Sequence, residues 1–274
     1  MAVPPAFFEQ TAAGFEPLAY AASAWSREMV NGPAVCALLA RCLETEHGAA
    51  DFVPARLTVD LFRPTLRRTV SVRTNAVRTG NRIRVADAEL VQDGAVVARA
   101  SAVFLRASEQ PPGDLWTRDR LPAPPPAELL GAPGQPLWGS DAHPDGWTTE
   151  LADHQNGSRK RCWQTPVATV LGQPLSPFAA VATIGESTSL MTNWSSVGVG
   201  FINADVTIAL SRPVQGTAIG VEADGHLSTA GISVGSATLF DRAGAFGSCV
   251  VTALANAQRT VDFAEEQFAE MRRG

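Results

Sequence analysis

The stretch Val59-Asp60-Leu61-Phe62-Arg63-Pro64 recurs, altered but legible, as Ile208-Ala209-Leu210-Ser211-Arg212-Pro213. Downstream, Ala88-Glu89-Leu90-Val91-Gln92-Asp93-Gly94 recurs as Ala237-Thr238-Leu239-Phe240-Asp241. Arg63 and Arg212 are 149 positions apart (212 − 63), and so are Leu90 and Leu239 (239 − 90). Two anchors at one offset, with strand-like text between them, mark a duplicated module. A period this long means whole domains and not a solenoid. The expected arrangement is a covalent pseudo-dimer with its site between the copies.

Working outward, the first copy opens with short strands over Ala6–Gln10 and Phe15–Ala19. Asn31-Gly32-Pro33 then introduces a helix, Ala34 to Glu46, with a proline where the first turn tolerates one. Val35, Leu38, Leu39, Cys42 and Leu43 recur at helical spacing. Strands are predicted at 55–62, 69–79, 82–92 and 95–106, with hairpin signals at Thr79-Gly80-Asn81 and Gln92-Asp93-Gly94. Pro111-Pro112-Gly113 and Pro122-Ala123-Pro124-Pro125-Pro126 break all periodicity and read as a surface linker.

The second copy repeats the order. Strands at 147–151 and 160–165 precede an apolar helix from Ser176-Pro177 to about Met191, and strands follow at 199–210, 217–224, 231–241 and 247–255. Turns are expected at Asp224-Gly225 and Arg242-Ala243-Gly244. From Asn256 onward the text reads as an amphipathic helix with Val261, Ala264, Phe268 and Met271 on one side and Phe263 off it. The predicted boundaries are 1–108 and 141–258 for the modules, 109–140 for the linker and 259–274 for the helical tail.

Composition narrows the function classes. Apolar residues at 45% and charged residues at 18% suit a globular protein with a sizeable core. A net charge of −5 and a pI near 5.4 supply no basic face for nucleic acid. Cys36, Cys42, Cys162 and Cys249 lack CxxC spacing and read as buried thiols, and the four histidines show no metal-ligand spacing, so no metal is expected. No apolar run reaches the roughly 18–20 residues of a membrane span. The N-terminus lacks a signal-peptide pattern, so a cytoplasmic protein is expected. A homo-oligomer is compatible with all of this.

One long helix wrapped by an antiparallel meander is the pattern of a hotdog domain. The fold class expected is therefore α+β: a tandem (double) hotdog, two antiparallel sheets each wrapped around a long helix. Specific motifs then resemble the TesB-like acyl-CoA thioesterase family, in the branch of actinobacterial-type thioesterase family proteins. In the first copy these are Asn31-Gly32, the Arg63-Pro64 corner, Arg78-Thr79-Gly80-Asn81 and the run from Gln92 to Ala100. In the second they are Leu175-Ser176-Pro177-Phe178, the run from Gly200 to Thr207, Ser211-Arg212-Pro213, Gly225-His226 and the run from Ala237 to Arg242. The resemblance implies acyl-CoA substrates, thioester hydrolysis and no cofactor.

It also implies a site. Such enzymes use a helix carboxylate, a strand Thr or Ser, and a Gln on the last strand. Ala180-Val181-Ala182-Thr183-Ile184-Gly185-Glu186 puts Glu186 at the acid, and Asn203 falls at the hydroxyl position. Strand alternation places Phe201, Asn203, Asp205 and Thr207 on one face, making Asp205 a second candidate base. The Gln has no counterpart: Val251 or Thr252 aligns with it, and Thr252 is the candidate substitute. Gly32, Ser187, Thr188, Arg63, Arg82 and Arg212 are expected to meet substrate, the arginines through phosphate or, for the duplicated pair, as structural corners.

Gly231-Ile232-Ser233-Val234-Gly235 spells a GxSxG elbow, but the pattern runs on as strand. Two competing readings stand beside hydrolysis: a non-hydrolytic acyl-CoA or lipid binder, and a hydratase, which would want a His beside the helix acid.

Overall fold

The computed structural model describes residues 5–118, 121–129, 133–256 and 259–264. Its elements in chain order are β1 (Ala6–Thr11), β2 (Gly14–Pro17), α1 (Gly32–His47), β3 (Phe52–Leu61), β4 (Ser71–Thr79), β5 (Ile83–Gln92) and β6 (Ala95–Arg106). There follow β7 (Leu137–Ser140), β8 (His143–Thr148), β9 (Lys160–Gln164), β10 (Ala168–Val170), α2 (Pro177–Gly185) and α3 (Thr188–Asn193). The chain closes with β11 (Trp194–Ser195), β12 (Gly198–Val199), β13 (Phe201–Asn203), β14 (Asp205–Leu210), β15 (Ile219–Thr229), β16 (Ile232–Asp241) and β17 (Gly244–Ala255).

A single antiparallel sheet runs through both copies in the order β4-β5-β6-β3-β14-β17-β16-β15-β9-β7-β8, and β13 also pairs with β17. At its centre β3 meets β14 with Thr58 opposite Thr207. Those residues are 149 apart, and their hydroxyls lie 3.1 Å from each other. The repeat offset and the pairing register therefore coincide, so a pseudo-twofold axis passes between the two threonines. Joining β3 to β14 removes what would be an exposed edge on each half. Outside this sheet, β1 pairs antiparallel with β2 and parallel with β10, which fastens the N-terminal strand to the segment leading into α2.

Helix α1 is buried nearly all round, with Ala34 to Ala40, Cys42 and Leu43 all inaccessible. The sheet covers one side and α2 the other, so the helix needs more than the one apolar stripe of a surface helix. Leu38, Leu39 and Leu43 are fully buried, each contributing roughly 1.5–3 kcal/mol of transfer free energy.

The second copy departs from the expected long helix. It breaks into α2 and α3 at Glu186-Ser187, where the Ser187 N–H turns back to the Ile184 carbonyl in a tighter turn. Gly185 stands just before the break. A Cβ there would lie 2.6 Å from Ile208 Cδ1, so the helix crosses β14 at a distance only glycine allows.

Other expectations need correction. The hairpin turn of the second copy is at Ala230-Gly231, both at positive φ, whereas Asp224-Gly225 is a bulge inside β15. Strand β7 begins inside the stretch read as linker. The linker's exposed part is tied down by an Arg118–Asp224 ion pair of 2.6 Å. Within the expected tail helix, Val261 instead forms a β-bridge with Val199, while Phe268 and Met271 lie outside the described residues. No helix among the described residues is long and apolar enough to cross a membrane.

Candidate active site

A cavity of about 450 Å³ opens between the two copies. The first supplies Trp25, Asn31, Gly32 and the 61–65 corner; the second supplies Glu186, Leu190, Phe201 and Asn203. Its walls are mostly apolar, and one carboxyl group stands among them.

That carboxyl is Glu186, buried at 8% exposure. Its position follows from the broken helix: as the residue after α2 it sits where the chain turns, on the side facing α1. Burial pushes its pKa up to about 8, and the Asn203 hydrogen bond pulls the other way without cancelling it. Asn203 Nδ2 donates to Glu186 Oε1 at 3.1 Å. No cation is paired with Glu186 among the described residues.

The opposite wall is the N-terminus of α1. Asn31 caps it: Oδ1 accepts the Ala34 N–H at 2.8 Å, while Nδ2 donates to the carbonyls of Tyr20 and Ala22. The Asn31 N–H donates to Ala21, and Pro33 has none to offer. Of the first-turn donors the Gly32 N–H alone stays without a partner among the described residues. A Cβ on Gly32 would lie 2.0 Å from Glu186 Oε1. The carboxyl thus rests directly on the helix start, and the absent side chain makes room for it.

A bulge explains which polar residues reach this point. Asn203 pairs with Ala253, but Thr207 pairs with Val250, a shift of one residue across Ala204. Such a slip reverses the faces. Asn203 therefore shares the inner face with Ala253, and Asp205 shares the outer face with Thr207. The expectation of one polar face through Asn203, Asp205 and Thr207 is overturned. Asp205 does not line the cavity; its Oδ1 accepts the Thr252 N–H at 2.7 Å and so secures the bulge. Thr252 is likewise outside the cavity, and Val251, fully buried, is the residue facing inward on the last strand.

The remaining candidates divide. Gly32 and Arg63 line the cavity. Ser187, Thr188, Arg82 and Arg212 do not. Ser187 Oγ accepts from Gln164 at 3.1 Å, Thr188 is wholly buried, and Arg82 is exposed beyond β4. Arg212 grips Asp241 with two bonds of 2.7 and 2.8 Å. Ser189, Trp138, Val261 and Phe263 line the cavity without having been expected. Their approach depends on chain crossings that local pattern does not carry. His226 stacks edge-on with Phe201 and lines a different cavity. Ser233 of the GxSxG letters sits inside β16 and donates to Asn193 at 2.9 Å, so no nucleophile elbow forms.

With this geometry in view, residues 21–105 match the family described as acyl-CoA thioesterase N-terminal domain. Among solved structures, the tesB protein of Mycobacterium avium subsp. paratuberculosis aligns at TM-score 0.60 and 17% identity, covering 83% of this chain and 88% of that one. Acyl-CoA thioesterase II TesB2 of Mycobacterium marinum aligns at 0.59 and 14%, covering 84% and 90%. A hot dog fold protein of unknown function from Alicyclobacillus acidocaldarius aligns at 0.61 and 18%, covering 92% and 96%. No curated protein matches the sequence. Over residues 21–105 the chain is thus similar to the acyl-CoA thioesterase N-terminal domain, and its fold is the hotdog architecture of these structures.

Proposed function

We propose that this protein hydrolyses acyl-CoA thioesters in the cavity between its two modules, with Glu186 as general base and Asn203 orienting it. The reading takes 1–108 and 141–258 as the halves of a double hotdog. One observation carries it: a buried carboxyl with no cation partner among the described residues, held by an amide and packed on Gly32 at a helix start, inside an apolar cavity. Burying an acid this way costs stability, and perturbed carboxyls of this kind cluster at functional sites.

In the reaction, ionised Glu186 takes a proton from water as the water oxygen bonds to the thioester carbonyl carbon. The Gly32 N–H, at the positive end of α1, faces the developing oxyanion. The tetrahedral intermediate then collapses, the C–S bond breaks, and Glu186 returns the proton to the leaving sulfur. Products are the free acid and the thiol, with atoms and charge balanced.

The test is release of free thiol from a panel of acyl-CoA chain lengths by wild type and Glu186→Gln. Turnover that is lost in the variant supports the reading, and equal turnover removes Glu186 from it. A second reading, binding without hydrolysis, is favoured by inward-facing Val251 where the family carries Gln. Tight binding of acyl-CoA with no thiol release would establish that one instead.

A further inference from the structure

The two Arg-Pro corners are equivalent by the repeat, yet they are wired differently. At the second, Arg212 is held by Asp241, which also accepts the N–H groups of Gln215 and Ala243. The residue equivalent to Asp241 in the first copy is Gln92, again 149 positions earlier (241 − 92). Gln92 keeps the structural half of the role: its Oε1 accepts the Leu66 N–H at 2.8 Å, as Asp241 accepts that of the equivalent Gln215. It has no charge to offer an arginine, and its Nε2 is spent on the carbonyls of Leu66 and Arg68. Arg63 accordingly has no ion pair among the described residues. It is exposed on the rim of the cavity, between Phe62 and Pro64.

Its neighbourhood is basic in a chain of net charge −5. The first corner continues Arg63-Pro64-Thr65-Leu66-Arg67-Arg68, where the second continues Arg212-Pro213-Val214-Gln215-Gly216-Thr217. Arg67 donates to the Arg27 carbonyl, and its own N–H bonds the Glu28 carbonyl, which brings Arg27 to the same loop. The acids nearby are Glu28, which makes no ion pair among the described residues, and Asp93, which pairs with Arg68 at 2.8 Å. Arg27, Arg63 and Arg67 are exposed and make no ion pair among the described residues. A guanidinium without a counter-ion on the rim of an apolar cavity, with two more arginines on the adjoining loops, suits a ligand with an uncharged tail and a polyanionic end.

We infer that Arg63, on the cavity rim, is the core of an anion subsite, extended by Arg67 and Arg27 on the adjoining loops, that holds the phosphate groups of the thiol carrier while the acyl chain enters the cavity. Loss of the acid at position 92 is what frees Arg63 for this task, and retention of Asp241 is what denies it to Arg212. The inference rests on the thioesterase reading for the identity of the carrier, but the subsite can be tested apart from hydrolysis.

The experiment compares one acyl group carried on CoA and on N-acetylcysteamine, which bears no phosphate. The proteins are wild type, Arg63→Gln, Arg63→Gln/Arg67→Gln, and Arg73→Gln, whose exposed arginine pairs with Glu89 on the edge strand β4, as control. Removing a charge-assisted contact is expected to raise KM for acyl-CoA about tenfold or more, with kcat and the N-acetylcysteamine KM unchanged. An equal rise for both thioesters, or as large a rise in Arg73→Gln, would overturn the subsite. So would a defect seen with acyl-(acyl carrier protein) and absent with acyl-CoA, since that points to a protein carrier. If neither thioester is hydrolysed, the catalytic reading fails and titration calorimetry with CoA decides. Binding by wild type that weakens tenfold in Arg63→Gln sustains the subsite; equal affinities, or no binding by wild type, overturn it.

Discussion

Glu186→Gln should make the protein more stable as it makes it inactive, and the gain should depend on pH. The carboxyl's pKa moves from 4.5 to about 8 on folding, chiefly through burial. Between those values the folded chain keeps a proton that the unfolded chain has released. The unfolded state then binds fewer protons, so stability falls as pH rises, by about 1.4 kcal/mol per pH unit. The favourable contribution is fully present below pH about 4.5 and is lost by pH about 8. Summed over the interval this is on the order of 3–5 kcal/mol, an upper range because local relaxation lets water reach an ionised buried acid. Gln fills the same volume and does not titrate. Urea unfolding at fixed pH values should therefore give nearly equal stabilities at pH 5 and a variant several kcal/mol more stable at pH 8. Parallel stability–pH curves for the two proteins would refute the account, because they would mean that Glu186 has an ordinary pKa in the folded state.

The same titration predicts the rate profile: a base must be ionised, so kcat/KM should rise with pH through about 8. Asn203→Leu should move that rising limb to higher pH and lower kcat/KM about tenfold at pH 7.5, because the hydrogen bond opposing burial is gone; an unmoved limb would dissociate Asn203 from the acid. Gly32→Ala should reduce kcat by tenfold or more and cost about 1–3 kcal/mol, although alanine alone favours a helix; thiol release and urea unfolding check both parts. Arg212→Ala should cost about 1.5–3 kcal/mol by removing the charge-assisted bonds to buried Asp241, which keeps the Gln215 and Ala243 N–H groups, with kcat in the folded fraction unchanged. For the thiols, burial pushes Cys42 up to about 11 and Cys162 and Cys249 up to about 12, and raises Cys36 well above its ordinary value. A disulfide reagent at pH 8 should find no fast-reacting thiol before denaturation, and one rapid thiol would contradict that burial.

How much of this was legible depended on whether the determining force was local. Strand β6 begins and ends where alternation and the Gln92-Asp93-Gly94 turn place it, and the first helix extends its predicted span by a residue or two at each end. The repeat implied that two sheets join edge to edge, but which strands meet, and that Thr58 faces Thr207, came only from the structure. The helix acid was visible because a lone carboxylate in Val181-Ala182-Thr183-Ile184 violates the apolar pattern around it. What could not be read arises between elements. Nothing in Phe201-Ile202-Asn203-Ala204-Asp205 announces the bulge, which is made by the partner strand β17 through the Asp205–Thr252 bond. The glycine just before the helix break is required by Ile208, which lies beneath it. Val261 joins a bridge to Val199 where its own neighbours spell a helix, an instance of tertiary pairing overriding local propensity.

The threonine pair at the centre of the sheet also bears on how the protein behaves when dilute. Two separate hotdog subunits meeting at such a contact would dissociate as their concentration fell, and each would have to be identical to the other. Here the partner is tethered, so its effective concentration is fixed by the linker and does not fall on dilution. Activity per chain should then stay constant down to the lowest enzyme concentration that can be assayed. Tethering also relieves the halves of sameness: one could keep an acid at position 241 and the other discard it at 92, a division that two copies of one identical subunit could never make.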